Sequence, residues 1–454
     1  MDFKRLTDTA QRQIIDRLVK AGYDSYFVGG CVRDVIMGRE YNDIDVATGA
    51  LPEETEHVFA DCKVIRTGAA HGTVTVLFNG VPVEVTTFRT EGGYSDMRHP
   101  DRVDFVRDVR EDLARRDFTM NAIAVDGQGN MVDPFDGASD IENSIIRAVG
   151  DPDVRFAEDA LRIMRAVRFS AQLGFDIDPA TAEAMGRCCE NLKYISAERI
   201  YSELRKLVTG AYAGRAIRKY IDVLAVVIPH IKEIDGFEQC NPAHKYDVLG
   251  HCIKCMQNIR VTESNREHMK LAALFHDIGK PDTFALDDKG IGHCFGHPAA
   301  SGEHVDEILR TLKADSFTID RVGTLVRYHD LLFKRDERLL KKWLRKFGPE
   351  VLYEILEIKR ADNLAVGCDV TSLIDMFDDV KLMIDRIIEE GQCYSLKQLQ
   401  VTGLDVMDAC QVKGPEVGRI LNLLLDRVID GEIENKKAPL LEEAMLIKQE
   451  TGDR

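Results

Sequence analysis

Two apolar patterns divide the chain. Up to about residue 147, short apolar runs alternate with polar turns: Tyr26-Phe27-Val28 is followed by Gly29-Gly30, and the runs 71–78 and 81–88 are separated by Asn79-Gly80. Asn-Gly between β-rich runs predicts a two-residue hairpin. Further along, apolar residues recur three or four positions apart, as on the faces of helices. The pattern predicts an α+β head followed by helical segments.

The first predicted strand and the one after it bring two chemical groups together. A short predicted helix after the glycine pair carries Arg33, and a second predicted strand holds Asp43 and Asp45. Residues two apart on a strand share a face, so both carboxylates can reach one metal ion. Two glycines after a strand let the backbone approach a phosphate, and the following helix start favours an anion. The stretch predicts a phosphate-binding turn beside an acid pair.

The second hairpin strand offers a third carboxylate. Val83, Val85 and Thr87 share one face, which leaves Glu84 and Thr86 on the other. If that other face carries the acid pair, Glu84 joins it. A solvated or hydrogen-bonded strand residue explains the same pattern, so both interpretations stay open.

Three polar segments follow the hairpin. Residues 89–107 contain glycine and both signs of charge, which predicts a surface loop. In the run RRDFTMNA, residues 115–122, two arginines precede Asp117 and could bind a triphosphate or a ribose, although solvated ion pairs on a helix fit as well. In the run DPFDG, Asp136 precedes Gly137, and aspartate tolerates a positive φ moderately well.

Residues 156–169, FAEDALRIMRAVRF, predict one helix on which Asp159 and Arg162 stand one turn apart. Cytosine and adenine both present an amine beside an unprotonated ring nitrogen, so an adjacent acceptor and donor fit both bases. Uracil and guanine present a carbonyl beside an N–H, and such mismatched buried polar groups are costly. The pair could therefore select C and A. A solvated helix with many ion pairs is the alternative.

Taken together, these motifs resemble the tRNA nucleotidyltransferase and poly(A) polymerase family, and within it the bacterial class II enzymes that add CCA to tRNA 3′ ends. The matching parts are residues 26–46, the RRDFTMNA and DPFDG runs, and the block E-D-x-x-R-x-x-R that begins at Glu158. The resemblance implies an α+β fold with a polymerase-beta-like nucleotidyltransferase head, a small mixed sheet flanked by helices. In such relatives, the segment that matches 89–107 is needed for adding the final A.

The resemblance also implies residue roles. Asp43 and Asp45 would hold Mg²⁺ and, with Glu84, form the catalytic set. Where the family has D-P-F-G-G, this chain has Asp136 in place of the first glycine. The segment 197–206 would support the base-reading helix. The implied nucleotide-binding residues are Gly30 and Arg33 at the triphosphate, Arg116 and Asp117, Asp159 and Arg162 at the base, and Arg165 and Arg168 as phosphate or structural partners.

From about residue 241, histidine–aspartate pairs replace these motifs. His276-Asp277 lies on an apolar predicted helix, and further His and Asp residues lie upstream and downstream. Imidazole and carboxylate together suit divalent ions that activate water for phosphate-ester hydrolysis. The pattern resembles the HD phosphohydrolase superfamily; a fossil domain kept for packing or tRNA contact is the alternative. The implied metal ligands, for an ion such as Mn²⁺ or Ni²⁺, are His251, His276, Asp277, His297 and Asp330, with His329 as a further candidate.

Composition and charge limit the possible partners and cellular location of the protein. The 454 residues carry a net charge of −17, so any tRNA-binding path must be a local basic surface. No apolar stretch reaches the length of a membrane span, and the charged N-terminus lacks a secretory signal, which predicts a soluble, cytoplasmic protein. Eleven scattered cysteines fit a reducing compartment. Cys252 and Cys255 form a C-x-x-C, which favours two small apolar helix residues over a zinc site.

The sequence thus predicts four segments: a head at 1–147, a helical neck with the base-reading helix at 148–240, an HD segment at 241–345, and a helical, tRNA-binding tail at 346–454. The predicted function is untemplated addition of CCA to tRNA from CTP and ATP, with release of pyrophosphate. No protein partner is evident. Three alternatives stay open: a poly(A) polymerase, an enzyme that adds only CC or only A, and an HD phosphohydrolase with an inactive head.

Overall fold

The computed structural model describes residues 3–7, 9–41, 44–93, 102–242 and 244–452. The chain forms two compact units, Met1–Lys232 with Arg310–Ala314, and Glu233–Leu309 with Asp315–Arg454. The finer division into four segments stays a prediction. In the described part of the chain, no helix combines the length and the apolar character needed to cross a membrane.

The first unit contains a sheet flanked by helices and then a helical region. Its helices are α1 (Lys4–Thr7), α2 (Ala10–Lys20), α3 (Gly30–Ile36), α4 (Pro52–Val58), α5 (Val109–Ala114), α6 (Gly137–Glu142), α7 (Pro152–Glu158), α8 (Leu161–Leu173), α9 (Pro179–Cys188), α10 (Ala197–Val208), α11 (Ala213–Lys219) and α12 (Ile221–Ala225). Its strands are β1 (Ser25–Val28), β2 (Asp45–Thr48), β3 (Lys63–Ile65), β4 (Thr73–Phe78), β5 (Val81–Thr87), β6 (Arg89–Gly92), β7 (Arg102–Phe105), β8 (Ala124–Val125), β9 (Met131–Val132), β10 (Ile145–Ile146) and β11 (Asp176–Ile177).

Seven of these strands form one mixed sheet in the order β3-β4-β5-β2-β1-β8-β9. Only β2 and β5 pair in parallel; the other neighbours are antiparallel. The predicted hairpin is confirmed, because Asn79 and Gly80 take φ values of 50° and 81°, the left-handed pair that a tight hairpin turn requires. The small mixed sheet flanked by helices agrees with the predicted α+β head.

The sheet places the glycine pair beside an acid. Val28, the last residue of β1, pairs with Asp45, the first residue of β2. The chain then turns at Gly29, whose φ of 76° a side chain would strain, into α3. The second predicted strand thus begins at Asp45, and Asp43 lies outside the described residues.

The segment predicted as a polar loop contains strands. β6 and β7 pair antiparallel, from Arg89 opposite Phe105 to Gly92 opposite Arg102. The two strands consist mostly of polar residues, so the alternation of apolar and polar residues that marks a half-buried strand is absent from the sequence. The central part of this segment lies outside the described residues.

The single helix predicted over 156–169 is wrong, because the chain leaves helical geometry at Asp159. That residue has φ −143° and ψ 101°, and it separates α7 from α8. Its Oδ1 accepts a hydrogen bond from the backbone N–H of Leu161 at 3.0 Å. A short polar side chain that bonds nearby backbone groups competes with the helical pattern, which accounts for the break. Asp159 therefore lies in an extended corner between α7 and α8.

The second unit is mainly helical. The longest helix, α18, is kinked at Gly348, where φ is 75°, because Pro349 follows and cannot continue the hydrogen-bond ladder. The predicted boundary at 345/346 lies just before this kink. The elements are α13 (Val248–Asn258), α14 (Arg266–Phe275), α15 (Lys280–Thr283), β12 (Phe284–Leu286), β13 (Gly292–Cys294), α16 (His297–Thr311), α17 (Ser316–Tyr328), α18 (Glu337–Ala365), α19 (Thr371–Glu389), α20 (Gly403–Cys410), α21 (Pro415–Ile429) and α22 (Lys437–Gly452).

Candidate active site and a second polar centre

One cavity of about 580 Å³ in the first unit collects most of the predicted nucleotide-binding residues. Seven arginines and three aspartates line it, so its walls carry net positive charge, which suits a polyphosphate. The lining residues come from segments up to 170 positions apart in the chain, which are Gly29, Gly30, Arg33, Asp45, Arg115, Arg116, Asp117, Asn121, Asp159, Leu161, Arg162, Arg165, Arg168, Phe169, Gln172 and Arg199.

The glycine turn and Asp45 form one wall of the cavity. A Cβ added at Gly29 would lie 3.1 Å from Nη1 of Arg116 and 3.8 Å from Oδ2 of Asp45. A Cβ at Gly30 would lie 3.6 Å from Nη2 of Arg33. The missing side chains thus leave room directly beside two guanidinium groups and a carboxylate. Hard oxygen donors such as Asp45 suit Mg²⁺, so the part of the acid pair that is described fits a metal site.

Glu84 lies on the same face of the sheet as Asp45. β2 and β5 pair in parallel with Val46 opposite Val85, so the residues just before these two, Asp45 and Glu84, both point away from the buried valines. Glu84 is exposed and is not among the residues that line the cavity. Its role as a third carboxylate stays a prediction.

Asp117 is buried and organises the arginines around it. Its Oδ1 accepts hydrogen bonds from the Phe118 backbone at 2.9 Å and from Asn121 Nδ2 at 3.2 Å, while Oδ2 lies 2.7 Å from Nη2 of Arg165. Burial would raise the pKa of Asp117, but the charge and hydrogen bond of Arg165, with a hydrogen bond from Asn121, lower it to about 2. Asp117 is therefore an anion that orients Arg165.

Arg33, Arg165 and Arg168 gather on one aromatic ring. Their guanidinium carbons lie 5.2, 5.5 and 3.9 Å from the ring centroid of Phe169. Arg33 also donates to Asn121 Oδ1 at 2.8 Å. Cation–π contacts hold such side chains with little mobility. Three of the arginines implied to meet phosphate are thus fixed side by side.

Asp159 and Arg162 both reach the cavity, from the corner between α7 and α8. Arg162 donates to the Arg155 carbonyl at 3.1 Å and the Arg115 carbonyl at 3.0 Å, and Nη1 lies 2.6 Å from Oε2 of Glu158. These bonds use three of its five N–H donors, which leaves two for a ligand. The sequence prediction of one shared helix face was wrong, but the corner brings the two side chains to the same cavity.

The segment 197–206 supports this corner, as predicted. It forms most of α10, from which Arg199 Nη2 lies 2.7 Å from Oδ2 of Asp159, and Glu203 Oε2 lies 2.9 Å from Nε of Arg168. Burial lowers the pKa of Arg168 to about 10, and the charge of Glu203 opposes that shift. Two residues one turn apart on α10 thus hold two cavity residues.

The DPFDG run packs against the turn that carries the cavity residue Asn121. Asp136 has a φ of 55°, so it takes the left-handed conformation that the family's glycine would adopt without strain. Gly137 is needed for space, because a Cβ there would lie 2.1 Å from the Thr119 carbonyl oxygen. This packs α6 against the turn that contains Asn121.

A second polar centre lies in the other unit, where histidines and aspartates converge. His251, His276 and Asp277 form one set whose ligand atoms lie within 4.8 Å of one another, and Asp277, His297 and His329 form another. Oδ2 of Asp277 lies 3.2 Å from Nε2 of His276, and Oδ1 lies 3.2 Å from Nε2 of His297. Asp277 therefore bridges two ligand sets, as a carboxylate does in a two-metal site.

The imidazoles are oriented for metal binding. Nδ1 of His276, His297 and His329 bonds the backbone carbonyls of Ala273, Cys294 and Val326 at 3.0, 2.8 and 2.7 Å. Each Nδ1 thus donates its proton to a carbonyl, and each Nε2 faces the centre, where a neutral ring would offer its lone pair to a metal. Burial, followed by the charge of His276, lowers the pKa of His329 to about 3, so this ring is neutral, the form that binds metals.

Asp330 does not join this centre, contrary to the prediction. Its side chain is 56% exposed and pairs with Lys359. His329 contacts Asp277 and His297, whereas Asp330 contacts Lys359. Asp362 on α18 takes the position instead, with Oδ1 2.9 Å from Nε2 of His251. No local motif marks Asp362, and it lies in the segment predicted as the tail.

The C-x-x-C is apolar in character. Cys252 and Cys255 are fully buried on α13, and neither belongs to a cluster of three potential metal ligands among the described residues. Burial raises the pKa of the Cys255 thiol, which keeps it protonated. The prediction of small apolar helix residues agrees with this environment.

Comparison with known proteins points to one family. The profile of the "Poly A polymerase head domain" matches residues 25–147, that of the "Probable RNA and SrmB-binding site of polymerase A" matches 174–234, and that of tRNA nucleotidyltransferase domain 2 matches 294–444. The CCA-adding enzyme of Lactobacillus delbrueckii subsp. bulgaricus is 34% identical over 440 residues, which are 96% of this chain and 98% of the relative.

Solved structures agree. The crystal structure of the Bacillus stearothermophilus CCA-adding enzyme in complex with CTP covers 98% of both chains at 29% identity, with a TM-score of 0.72. The Thermotoga maritima CCA-adding enzyme complexed with tRNA covers 98% of this chain and 96% of its own at 19% identity and a TM-score of 0.58, a likeness of fold alone. By its similarity over nearly its whole length, this chain belongs to the CCA-adding enzymes, a family of tRNA nucleotidyltransferases.

Proposed function

We propose that this chain adds C, C and A to tRNA 3′ ends from CTP and ATP in the cavity of the first unit, and that Asp159 and Arg162 select the base. The observation that carries the proposal is that one cavity joins Asp45, the glycine turn, the arginine group and the Asp159 corner. A nucleotide that lies across it would place its phosphates near Asp45 and its base near Asp159.

Base selection follows from the free hydrogen-bonding groups. An ionised carboxylate has about four acceptor positions. Asp159 uses three of them, for the Leu161 N–H and for two N–H groups of Arg199. One acceptor remains, and Arg162, which lines the same cavity, keeps two donors. Cytosine and adenine present an amine for the acceptor and ring nitrogens for the donors, whereas uracil and guanine present the reverse.

The chemical step requires that negative charge at the α-phosphate and on the leaving pyrophosphate be neutralised. The RNA 3′-oxygen attacks the α-phosphorus, the bond to the bridging oxygen breaks, and pyrophosphate leaves with the electron pair. Asp43 and Asp45 would hold divalent ions, generally Mg²⁺ in such enzymes, which would make the 3′-hydroxyl more acidic and stabilise the transferred phosphoryl group. Arg33, Arg165 and Arg168 are positioned to neutralise the triphosphate. A cytoplasmic location is part of this proposal and fits eleven cysteines that are all unpaired.

The test is incorporation into a tRNA that lacks its 3′ end, with each nucleotide supplied separately. We expect two additions from CTP, one further addition from ATP, and none from UTP or GTP. Arg162→Ala should lose C and A incorporation by at least about 100-fold, since the site would keep an unpaired acceptor. Arg187→Ala, an exposed arginine paired with Asp153 outside the cavity, is the control. Near wild-type addition of both bases by Arg162→Ala would refute base selection, and long A tails would indicate a poly(A) polymerase.

A second function is favoured by the histidine centre. We propose that it is an HD-type phosphohydrolase site in which divalent ions would be held by His251, His276, Asp277, His297, His329 and Asp362. Such ions, with Mn²⁺ or Ni²⁺ as candidates, would supply an activated water. The oxygen of water joins phosphorus, the ester P–O bond breaks, and the departing oxygen takes a proton. Lys359, which lines the same cavity, can face the phosphate.

This proposal is tested by release of inorganic phosphate from phosphomonoesters with Mn²⁺ or Ni²⁺. His276→Ala should abolish release and lower the bound metal content, while CCA addition continues. His57→Ala, an exposed histidine of the first unit, should change neither. Equal phosphate release by wild type and His276→Ala would refute the hydrolytic role.

A further inference from the structure

A buried carboxylate on α5 contacts two of the arginines that line the cavity of the first unit. Asp112 has a side chain that is only 1% exposed, and it is not among the residues that line this cavity. Its Oδ1 lies 2.7 Å from Nη2 of Arg115, and its Oδ2 lies 3.2 Å from Nη2 of Arg116. Both arginines do line the cavity. Asp112 is therefore placed to act on a ligand through these two side chains.

The contacts follow from the spacing of the three residues. Arg115 and Arg116 come three and four residues after Asp112, the two separations at which side chains meet on one face of a helix. Burial would raise the pKa of Asp112, but the charges of Arg115 and Arg116 lower it, so the carboxylate is ionised. This single anion keeps two guanidinium groups side by side in spite of their like charges.

Arg115 fixes one oxygen of the carboxylate. Nε and Nη2 of Arg115 both donate to Oδ1 of Asp112, at 3.0 and 2.7 Å, and Nη1 lies 3.1 Å from Oε1 of Glu91. The backbone N–H of Arg89 also approaches Oδ1, at 3.4 Å. Because Oδ1 is held in this way, Oδ2 has a defined position, and it is the oxygen that contacts Arg116.

Arg116 lies at the glycine turn of the cavity. Its Nη1 donates to the Asn121 carbonyl at 3.3 Å and lies 3.1 Å from the position that a Cβ at Gly29 would occupy. Together with the contact to Asp112, these bonds use two of its five N–H groups. The three that remain include Nε–H, which is buried and has no hydrogen-bond partner in the described part of the chain. A phosphate at the turn would supply acceptors for such donors.

We infer that Asp112 is a positioning residue for nucleotide addition, which holds Arg116 in place to bind the triphosphate. The inference rests on the proposed function of the first unit. It gives Asp112 no contact with the nucleotide, so the effect of Asp112 on phosphate binding must depend on the Arg116 side chain.

The first test measures steady-state incorporation of CTP and ATP into tRNA that lacks its 3′ end. Asp112→Asn keeps the shape of the side chain and removes its charge. It should raise KM for both nucleotides about 10- to 100-fold, the size of one charge-assisted hydrogen bond, with a smaller change in kcat. A purely structural role would lower the folded fraction, and with it the apparent kcat, at unchanged KM. Glu111→Gln, at the exposed neighbour on α5, is the matched control and should behave as wild type.

The second test is a double-mutant cycle with inorganic pyrophosphate as the inhibitor, since pyrophosphate probes the phosphate end of the cavity without a base. Asp112→Asn and Arg116→Ala should each raise its Ki about tenfold or more. The double variant should have the Ki of Arg116→Ala alone, because Asp112 then has no side chain through which to act. Asp112→Glu keeps the charge and should lie between wild type and Asp112→Asn; it replaces that variant in the cycle if Asp112→Asn does not fold.

An unchanged KM in Asp112→Asn would overturn the inference, and so would a double variant in which the two effects multiply. If wild type adds no nucleotide, the proposed function fails by itself. Calorimetric titration with CTP then decides the role of Asp112, since a Kd that Asp112→Asn raises tenfold or more supports positioning and an unchanged Kd overturns it.

Discussion

Arg199 on α10 holds Asp159 through a two-point ion pair, with Nη2 2.7 Å from Oδ2 and Nη1 3.4 Å from Oδ1. A guanidinium that grips both carboxylate oxygens fixes the plane of the carboxylate as well as its position. Asp159 lies in an extended corner between two helices, where the backbone alone does not define its direction. The acceptor that is proposed to read the base is therefore aimed by a residue 40 positions later in the chain.

Loss of the ion pair between Arg199 and Asp159 is predicted to impair base selection as well as the rate of nucleotide incorporation. Arg199→Ala should lower kcat/KM for CTP and ATP about 10- to 100-fold, because Asp159 no longer has a single orientation. It should also raise the relative incorporation of UTP, an effect that loss of stability alone would not produce. Arg199→Lys should recover part of the rate, since one point of contact remains.

The control for this prediction is Arg205→Ala, also on α10 but on its exposed side. Both variants are assayed by steady-state incorporation into tRNA that lacks its 3′ end, with CTP, ATP and UTP. Wild-type selectivity in Arg199→Ala would mean that Asp159 is oriented without this contact.

The DPFDG turn predicts opposite effects for two neighbouring residues. Gly137→Ala would place its Cβ 2.1 Å from the Thr119 carbonyl oxygen, a backbone atom that cannot move without displacing the turn that carries Asn121. We expect a loss of about 2–3 kcal/mol in unfolding free energy. Asp136→Gly should gain up to about 1 kcal/mol, because φ is 55° and the aspartate makes no capping hydrogen bond there. Thermal unfolding measures both, and equal signs would contradict the turn geometry.

The contrast between these turns and the rest of the site shows what the sequence could provide. Asn79-Gly80 and Gly29-Gly30 are local signals. A turn with a positive φ needs residues that tolerate this conformation, and those residues are the turn itself. Asp159 was placed on a helix because its neighbours have helical spacing. The break at Asp159 depends on its own side-chain bond to Leu161 and on Arg199, which is distant in sequence. Local periodicity cannot report such a contact.

The second centre shows the same limit. His276-Asp277 is recognisable in the sequence as an adjacent pair. Histidine is an uncommon residue, so several histidines near this pair indicate a site. Asp330 was implied by the resemblance to the HD phosphohydrolase superfamily, as the aspartate downstream of His276-Asp277. The residue that reaches the centre, Asp362, lies on a helix with ordinary spacing among many other charged residues. Only the packing of α18 against α13 brings it next to His251.

Asp117 predicts a stability effect with a defined pH window. Its pKa is lowered to about 2, so folding is favoured where the carboxylate is ionised, and that contribution is lost as the pH falls from about 4 through 2. Asp117→Asn should destabilise the first unit by about 2 kcal/mol at pH 7, because Arg165 loses its buried partner. The difference from wild type should shrink toward pH 2–3, where the aspartate is itself becoming neutral.

Urea unfolding at pH 7 and pH 3 checks this prediction. Asp153→Asn is the control, since its carboxylate pairs with Arg187 in solvent and surface pairs contribute little. A difference between wild type and Asp117→Asn that stays constant with pH would show that packing, and not the ion pair, accounts for the loss.

Substitutions of Asp362 and Asp330 distinguish the metal ligands proposed from the structure from those predicted from the sequence. Asp362→Asn should weaken Mn²⁺ binding by about 10- to 100-fold, because an amide replaces a carboxylate 2.9 Å from Nε2 of His251. Asp330→Asn should leave the affinity unchanged, since that carboxylate is exposed and paired with Lys359. Titration of the metal-free protein against a chelating dye measures both affinities. If Asp330→Asn weakened binding and Asp362→Asn did not, Asp330 and not Asp362 would be the metal ligand, and the ligand set proposed from the structure would be refuted.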